Sequence, residues 1–246
     1  MKLFSLILVA VVVLSVGMVD ASDCCGKKVD DYDYLWTPDG HKGLVSIFNG
    51  KDFTGWKEPE SKVWKVEDGC ISFAGPMDNE HKQAGYIWTE KQYGDFILEL
   101  EFKIEKGSNS GIFFRTADMK DPVQSGLEIQ IADSYGRRDG KLEKYDCGAF
   151  YDCQAPFHNM AKKAGQWNKV VLVCQDQKIY VAMNGTCVVS VDVNLWFDKP
   201  GKNPDGTKNK YKKDIARMPR YGHIGFQDHG CKVWYRNIKI RDLKNP

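Results

Sequence analysis

Residues 109–133, which read NSGIFFRTADMKDPVQSGLEIQIAD, decide the fold of this chain. Two short runs in this stretch alternate apolar and polar side chains, and a turn-rich connector separates them. Successive side chains of a β-strand point to opposite faces of a sheet. In the second run Glu128 and Gln130 therefore share one face, with the aliphatic residues on the other. In the first run Phe113 and Arg115 share a face, so the sequence predicts two neighbouring strands.

One face of this predicted strand pair carries Arg115, Glu128 and Gln130 beside the ring of Phe113. A guanidinium, a carboxylate and a carboxamide on a rigid floor suit a polyhydroxylated ligand. The same alternation is also typical of an antiparallel sheet with one solvated face. Periodicity by itself favours that plainer interpretation, so the ligand hypothesis depends on the rest of the chain.

The rest of the chain from Leu44 onward also reads as short strands. A hairpin is predicted around Asp68 and Gly69, and KVVLVCQ, KIYVAM and TCVVSVDV form a meander with a second strong turn at Asn184 and Gly185. There is no convincing long helix, and one helical turn is expected near residues 212–218. About ten or more strands in one stretch of uniform composition predict a single all-β domain, a sandwich or a barrel.

Length and composition fit that prediction. The chain has 246 residues, 42% of them hydrophobic, which is enough for one sizeable core. A net charge of +2 gives no reason to expect electrostatic capture of nucleic acid or of an anionic membrane. The aromatic content of 12% suits stacking on sugar rings, although core packing explains it equally well.

The N-terminus reads as a targeting segment. Lys2 precedes a long apolar run, so residues 1–21 are predicted to be a signal peptide cleaved after Ala21. An uncleaved membrane anchor is the alternative. Residues 22–43 are then an N-terminal tail, and residues 44–246 form the β domain. The predicted location is secreted, or periplasmic in the cell envelope, with no membrane span after signal removal.

All eight cysteines follow the proposed cleavage point. An even number of cysteines in an exported chain predicts disulfides. Cys147 and Cys153, in CGAFYDC, are the pair placed to close a small loop. The paired C-x-x-C spacing of structural zinc sites is missing from the sequence, so disulfides are favoured over metal.

Several motifs together resemble one known family, the 3-keto-disaccharide hydrolase domain family, found mostly in bacterial secreted proteins. In chain order the motifs are IFNGKD, YGDF, NSGIFFR, GLEIQIAD, GAFYD, GQWN, GKNPDGTKNKY, GHIGFQDHG and RNIKIRDL. They cover roughly residues 44–243. The resemblance implies a concanavalin A-like jelly-roll β-sandwich of two antiparallel sheets. It also implies action on a sugar whose C3 hydroxyl has been oxidised to a ketone.

A C3 ketone changes the residues that the chemistry needs. It acidifies the C2 proton, so the bond at C1 can break by elimination, and water then adds back. This path needs a general base, stabilisation of the ketone oxygen and help for the leaving oxygen. It does not need the two opposed carboxylates of ordinary glycosidases. The sequence fits that difference, because Glu128 is followed on its face by Gln130 and not by a second acid.

Three residues are predicted to be catalytic. His229 is the best candidate for the general acid or base, because an imidazole titrates near neutral pH; a surface histidine near a turn is the alternative. Glu128 is the second candidate base, or a ligand for a calcium ion. Arg115 is predicted either to stabilise the enolate oxygen or to pair with Glu128. No cofactor is required, and calcium stays an open possibility.

The substrate-binding residues are predicted to include Gln130, Gln227 and Phe113. Tyr151, Lys162 and Trp167 are weaker candidates, because the lysine could be a solvated charge and the tryptophan could serve packing. The lysines around Asp205 could form a flap over the site, or only an exposed loop.

The predicted function is therefore an enzyme that cleaves 3-keto-glycosides, and its only predicted partner is a small carbohydrate. A lectin-like sandwich that binds sugar without turnover is the main alternative. A plain glycosidase acting on unoxidised glucosides is the third.

Overall fold

The computed structural model describes residues 42–57, 63–73 and 85–243. The predicted signal peptide lies outside the described residues, as do nearly all of the predicted tail, Cys24 and Cys25. Within these ranges twelve strands account for most of the regular structure. The all-β prediction is confirmed.

The strands, in chain order, are β1 Val45–Ser46, β2 Trp64–Glu67, β3 Cys70–Phe73, β4 Ile87–Tyr93, β5 Phe96–Ile104, β6 Asn109–Thr116, β7 Leu127–Ala132, β8 Asn168–Gln175, β9 Lys178–Met183, β10 Thr186–Asp192, β11 Gly222–Phe226 and β12 Val233–Asp242. The short helix α1 spans Pro122–Ser125 between β6 and β7. Two 3-10 turns, Val193–Trp196 and Ile215–Arg217, flank the long segment before β11. The second of them is the helical turn that the sequence predicts.

Two antiparallel sheets form a β-sandwich, as predicted. The larger sheet has the strand order β10-β9-β8-β5-β12-β3-β2, and β1 also pairs with β12. The smaller sheet has the order β4-β11-β6-β7. Leu98 and Leu100 of the larger sheet and Ile112, Phe114 and Ile129 of the smaller sheet belong to one apolar core. Strands β6 and β7 therefore bury one face in the sandwich and present the other outward.

The two predicted hairpin turns are both present. Asp68 and Gly69 join β2 to β3 with φ angles of 49° and 73°. Asn184 and Gly185 join β9 to β10 with φ angles of 51° and 89°. A two-residue turn with positive φ at both positions matches the twist of paired strands, and asparagine, aspartate and glycine tolerate it best.

The predicted disulfide between Cys147 and Cys153 is wrong. Both residues are free thiols. Cys147, Cys153 and Cys174 are buried among core side chains, where they act as small hydrophobic residues. Burial raises the pKa of Cys147 and of Cys174 to about 12. Such thiols are protonated and unreactive at neutral pH.

No helix among the described residues is both long enough and apolar enough to cross a bilayer.

Candidate active site

The outward face of the smaller sheet carries a buried carboxylate. Glu128 of β7 lies opposite Phe113 of β6, as the alternation predicts, and it is 2% exposed. Its partner comes from outside the sheet. Lys210 Nζ lies 2.6 Å from Glu128 Oε2 and donates a hydrogen bond to it. The ammonium is also 4.2 Å from the centre of the Tyr151 ring. The carboxylate is thus covered by a cation and an aromatic ring.

Opposing effects act on the protonation of Glu128. Burial is the largest, and it raises the pKa of this carboxyl above its ordinary value of 4.5. The charge and hydrogen bond of Lys210 lower the pKa, and so does the charge of His229. His229 itself is exposed. Its imidazole lies close enough to the cluster for its charge to act on the Glu128 carboxyl.

An aromatic wall borders this carboxylate. The Tyr86 ring lies 5.1 Å from the Phe113 ring and 5.6 Å from the Trp88 ring, measured between centroids. Gln227 Nε2 donates a hydrogen bond of 3.2 Å to the Tyr86 hydroxyl. Tyr86 and Gln227 are only partly buried, so a hydroxyl and a carboxamide face the entrance. Aromatic faces with polar atoms at their edges are suited to sugar binding.

Two glycines make room for the large side chains of this face. A Cβ atom at Gly111 would lie inside van der Waals distance of Glu128 Oε1. A Cβ atom at Gly225 would collide with the indole of Trp88. Strands β6 and β11 therefore need glycine at these positions for the carboxylate and the indole to lie flat on the sheet.

Two buried polar atoms near the site have no hydrogen-bond partner among the described residues. One is Gln130 Oε1, whose amide nitrogen donates to the carbonyl of Tyr145 at 3.2 Å. The other is the hydroxyl of Tyr211, which directly follows Lys210. Burial, with nearby Cys153 and Glu128, raises the pKa of Tyr211. Buried polar atoms normally have partners, so orphaned ones near a cleft indicate space for water or ligand.

The segment that carries Lys210 spans residues 197–214 and is called here the Lys210 segment. Asn203 fastens it to the domain: its amide donates to the Asp152 carbonyl at 3.0 Å, and its oxygen accepts from Trp196 Nε1 at 2.9 Å. A bridge between Lys202 and Lys208 closes the segment on itself. The lysine-rich stretch around Asp205 thus reaches the site, as the flap hypothesis requires.

Six of the sequence-predicted residues lie together, namely Phe113, Glu128, Gln130, Tyr151, Gln227 and His229. With Lys210 and Tyr86 they form what we call the Glu128 cluster. Three residues of this face had no predicted role. Tyr86 and Trp88 belong to a predicted strand whose neighbour in the sheet the sequence does not identify. Lys210 is one of several lysines in a predicted loop.

Arg115 does not lie with Glu128, and the placement predicted from alternation is wrong. Its φ angle is 51°, and the pairing of β11 shifts register beside it, so the side chain leaves the face of Phe113. Arg115 is 1% exposed and its Nη2 lies 2.9 Å from Asp95 Oδ1. Its Nε donates to the Gly94 carbonyl, and its remaining nitrogens donate to the Asp176 carbonyl. The guanidinium ties together turns at the edge of the sandwich.

Lys162 and Trp167 also lie outside the Glu128 cluster. The Arg236 guanidinium stacks 3.8 Å from the Trp167 ring, and Lys103 lies 5.1 Å from it. Both cations belong to strands of the larger sheet. Lys162 Nζ donates to the Trp167 carbonyl at 3.0 Å. The packing role considered for Trp167 is therefore the one that the structure supports.

The structure offers little to a metal ion in this cluster. No group of three or more histidine, cysteine, aspartate or glutamate side chains in metal-binding arrangement occurs among the described residues. A calcium ion at Glu128 would also have to displace the ammonium of Lys210 from Oε2. Calcium needs six to eight oxygen ligands, and a neighbouring cation opposes it.

Comparison with known proteins gives consistent matches over most of the chain. Residues 43–241 match a family model described as a 3-keto-alpha-glucoside-1,2-lyase-like domain. The chain is 29% identical to the 3-keto-disaccharide hydrolase of Bacteroides thetaiotaomicron, over 88% of this chain and 84% of that protein.

Solved structures also match this chain over most of its length. A candidate glycosyl hydrolase from Parabacteroides distasonis superposes with a TM-score of 0.65 at 35% identity, covering 76% of this chain and 99% of that one. A second such protein from the same organism gives a TM-score of 0.64 at 29% identity, covering 82% and 94%. A Bacillus subtilis protein with a galectin-like fold matches at 14% identity with a TM-score of 0.52, covering 81% and 96%, which shows the fold alone.

Proposed function

The chain belongs to the family of 3-keto-alpha-glucoside-1,2-lyase-like domains, and from that premise we propose that it cleaves 3-keto-glycosides by elimination and hydration. Its relatives make it a carbohydrate-cleaving, hydrolase-like enzyme. One observation carries the finer proposal: the buried carboxylate Glu128 holds the Lys210 ammonium and lies within electrostatic reach of His229. A carboxylate, an ammonium and an imidazole suit proton abstraction beside a ketone. Ordinary glycosidases instead use a pair of carboxyl groups on either side of the scissile bond.

The proposed reaction has two steps. A base removes the C2 proton, the electron pair forms an enolate with the C3 ketone, and the bond from C1 to the leaving oxygen then breaks. The leaving oxygen takes up a proton, and a C1=C2 double bond remains in the keto sugar. Water then adds across that bond, with hydroxyl at C1 and hydrogen at C2. The sum is hydrolysis of the glycoside.

We infer the roles within the Glu128 cluster from the exposure of each side chain. His229 is the exposed proton-transfer group, so it takes the C2 proton and returns one. The Lys210 ammonium, on a partly exposed side chain, stabilises negative charge on the C3 oxygen. Glu128 is nearly inaccessible, so it acts as a positioning residue that holds Lys210 and favours the imidazolium formed at His229. Tyr86, Tyr151 and Gln227 line the entrance and hydrogen-bond the sugar hydroxyls.

Two further expectations complete the proposal. The enzyme is exported, because residues 1–21 read as a signal peptide. It needs no resident metal ion, because Lys210 supplies the positive charge that a Lewis acid would otherwise provide.

The test is incubation of a 3-keto-disaccharide and its unoxidised parent with the enzyme in deuterated water, with and without a chelator. We expect release of the keto sugar from the oxidised form alone, deuterium at its C2, and no effect of the chelator. Free keto sugar without enzyme is the control for spontaneous exchange. Cleavage of the unoxidised parent would indicate a plain glycosidase, and binding without cleavage would indicate a lectin. Either result contradicts the proposal.

Substitution of the proposed base gives a second readout. His229→Gln should lower kcat on the 3-keto-disaccharide by about 10²–10⁴-fold, the usual contribution of a positioned acid or base. His158→Gln is the matched control, because the partly exposed His158 ring pairs at 3.1 Å with Asp139, which is not a member of the cluster. Equal rates for the two variants would contradict the role of His229.

A further inference from the structure

A cavity lies beside the Glu128 cluster and has no role in the reaction described above. Its volume is about 460 Å³, within the usual range for small-molecule sites. Four segments line it: residues 142–145, residues 153–155, the pair Leu195 and Trp196, and part of the Lys210 segment.

The cavity and the Glu128 cluster share a wall. Tyr145 lines the cavity, and its ring centroid lies 5.6 Å from that of Tyr151, which contacts Lys210. Cys153 also lines the cavity, and the charges of Lys210 and Glu128 both act on its thiol. A substrate with its keto sugar at the cluster can therefore place its other half in the cavity.

Several polar groups around the cavity already have partners of their own. Lys144 Nζ lies 3.2 Å from Asp152 Oδ1 and also donates to the Lys208 carbonyl. The Tyr145 hydroxyl donates to the same Asp152 oxygen at 2.9 Å. Asp205 accepts two hydrogen bonds from Thr207. Lys144 and the Tyr145 hydroxyl therefore have little capacity left for the hydroxyls of a second sugar.

Apolar surface is what the cavity offers instead. Leu142, Ala155 and Pro204 line it, and Leu195 is 56% exposed at its edge. Contact with an apolar ligand would remove this surface from water.

We propose that this cavity binds the leaving group of the substrate, and that the leaving group it fits is a flat apolar aglycone such as an aryl ring. The inference rests on the proposed function and names its substrate class: 3-keto forms of aryl glycosides in preference to 3-keto-disaccharides. A second sugar would lose hydrogen bonds to water against the apolar lining, whereas an aryl ring would only remove apolar surface from water.

The kinetic test compares the 3-keto forms of a 2-naphthyl glucoside and of a disaccharide. Leu195→Ser should raise KM for the naphthyl substrate about tenfold, as expected for apolar contact in a pocket, with kcat unchanged and the disaccharide within about twofold. Taking the ratio of variant to wild type for each substrate removes the difference in leaving-group reactivity. Val45→Ser is the matched control, because Val45 is 61% exposed on β1, outside the cavity. An equal effect of Leu195→Ser on both substrates overturns the inference.

A binding measurement separates this inference from the proposed function. Calorimetric titration with 2-naphthol needs no turnover. We expect binding to the wild type and to Val45→Ser, and about tenfold weaker binding to Leu195→Ser. Lack of naphthol binding overturns the inference even where 3-keto-disaccharides are cleaved. Naphthol binding without cleavage of any 3-keto-glycoside overturns the proposed function and, with it, the leaving-group assignment.

Discussion

Lys210 Nζ lies 2.6 Å from Glu128 Oε2, and this contact joins residues 82 positions apart in the sequence. Glu128 lies in strand β7, and Lys210 lies in a segment without regular strands. The lysine side chain is 18% exposed and the glutamate side chain 2%, so the cation is the more accessible member of the pair. The pair delivers a positive charge to a defined point of the site.

The raised pKa of Glu128 predicts a pH-dependent stability. A carboxyl whose pKa is higher in the folded state binds more protons there, so stability falls as pH rises from the unfolded value of 4.5 through the folded value. Glu128→Gln is uncharged and lacks this dependence. The difference in unfolding free energy between the two should therefore shift in favour of the variant with rising pH, as measured by urea denaturation from about pH 4 to pH 8.

Asp192→Asn is the control with the opposite sign. The hydrogen bond and charge of Lys178, with the Asn194 amide, outweigh burial and lower the pKa of Asp192. The cost of this substitution should be present at neutral pH and should disappear as pH falls. The same direction of pH dependence in both variants would contradict the account of Glu128.

Replacing Lys210 should affect the rate more than the fold. Lys210→Met removes the charge proposed to stabilise the C3 oxygen, so kcat on a 3-keto-disaccharide should fall by about 10²–10³-fold, as for loss of an oxyanion donor. Lys210→Arg should restore part of the rate, because it keeps a cation near Glu128. A methionine variant with wild-type kcat would show that the ammonium only neutralises the carboxylate.

Strand alternation predicted the floor of the site and failed at its edge. Glu128, Gln130 and Phe113 share a face because regular pairing between β6 and β7 enforces a period of two. Arg115 departs from the alternation because its backbone adopts a left-handed conformation. Residues other than glycine seldom adopt this conformation, so strand periodicity does not predict it.

The contribution of the Lys210 segment was harder to predict. Its turn-rich sequence indicates a loop and a possible flap, but the choice of Lys210 among neighbouring lysines depends on tertiary anchors. Asn203 supplies one anchor through Asp152 and Trp196. Such contacts between distant parts of the chain leave no periodic signal.

Arg115 should prove structural and not catalytic. Arg115→Met removes a buried ion pair with Asp95 and three hydrogen bonds to carbonyls, so we expect a loss of about 3–5 kcal/mol in unfolding free energy. The kcat of the folded fraction should stay within about twofold, since a merely stabilising interaction acts on the amount of folded protein. Lys232→Met, which breaks an exposed pair with Glu105, should cost less than about 1 kcal/mol. A large fall in kcat for the folded Arg115→Met variant would contradict this prediction and indicate a catalytic role for Arg115.

Gly111 should tolerate no side chain while Glu128 is present. Alanine at this position brings a Cβ atom onto Glu128 Oε1, so the carboxylate must shift and Lys210 must follow it. We expect a stability loss of about 1–3 kcal/mol from overpacking. We also expect a fall in kcat of about 10²-fold, the usual effect of a displacement near 1 Å in a catalytic site.

A double-mutant cycle tests the cause of this intolerance. If the clash with the carboxylate is responsible, Gly111→Ala should cost almost nothing in a Glu128→Ala background, because the obstructing atoms are gone. Gly94→Ala is the matched control, since its Cβ would meet the Arg220 carbonyl and the Tyr221 ring. Its cost should be the same in both backgrounds. An equal cost of Gly111→Ala with and without the Glu128 side chain would place the conflict in the backbone, and the floor of the site would then owe its shape to strand pairing and not to the carboxylate.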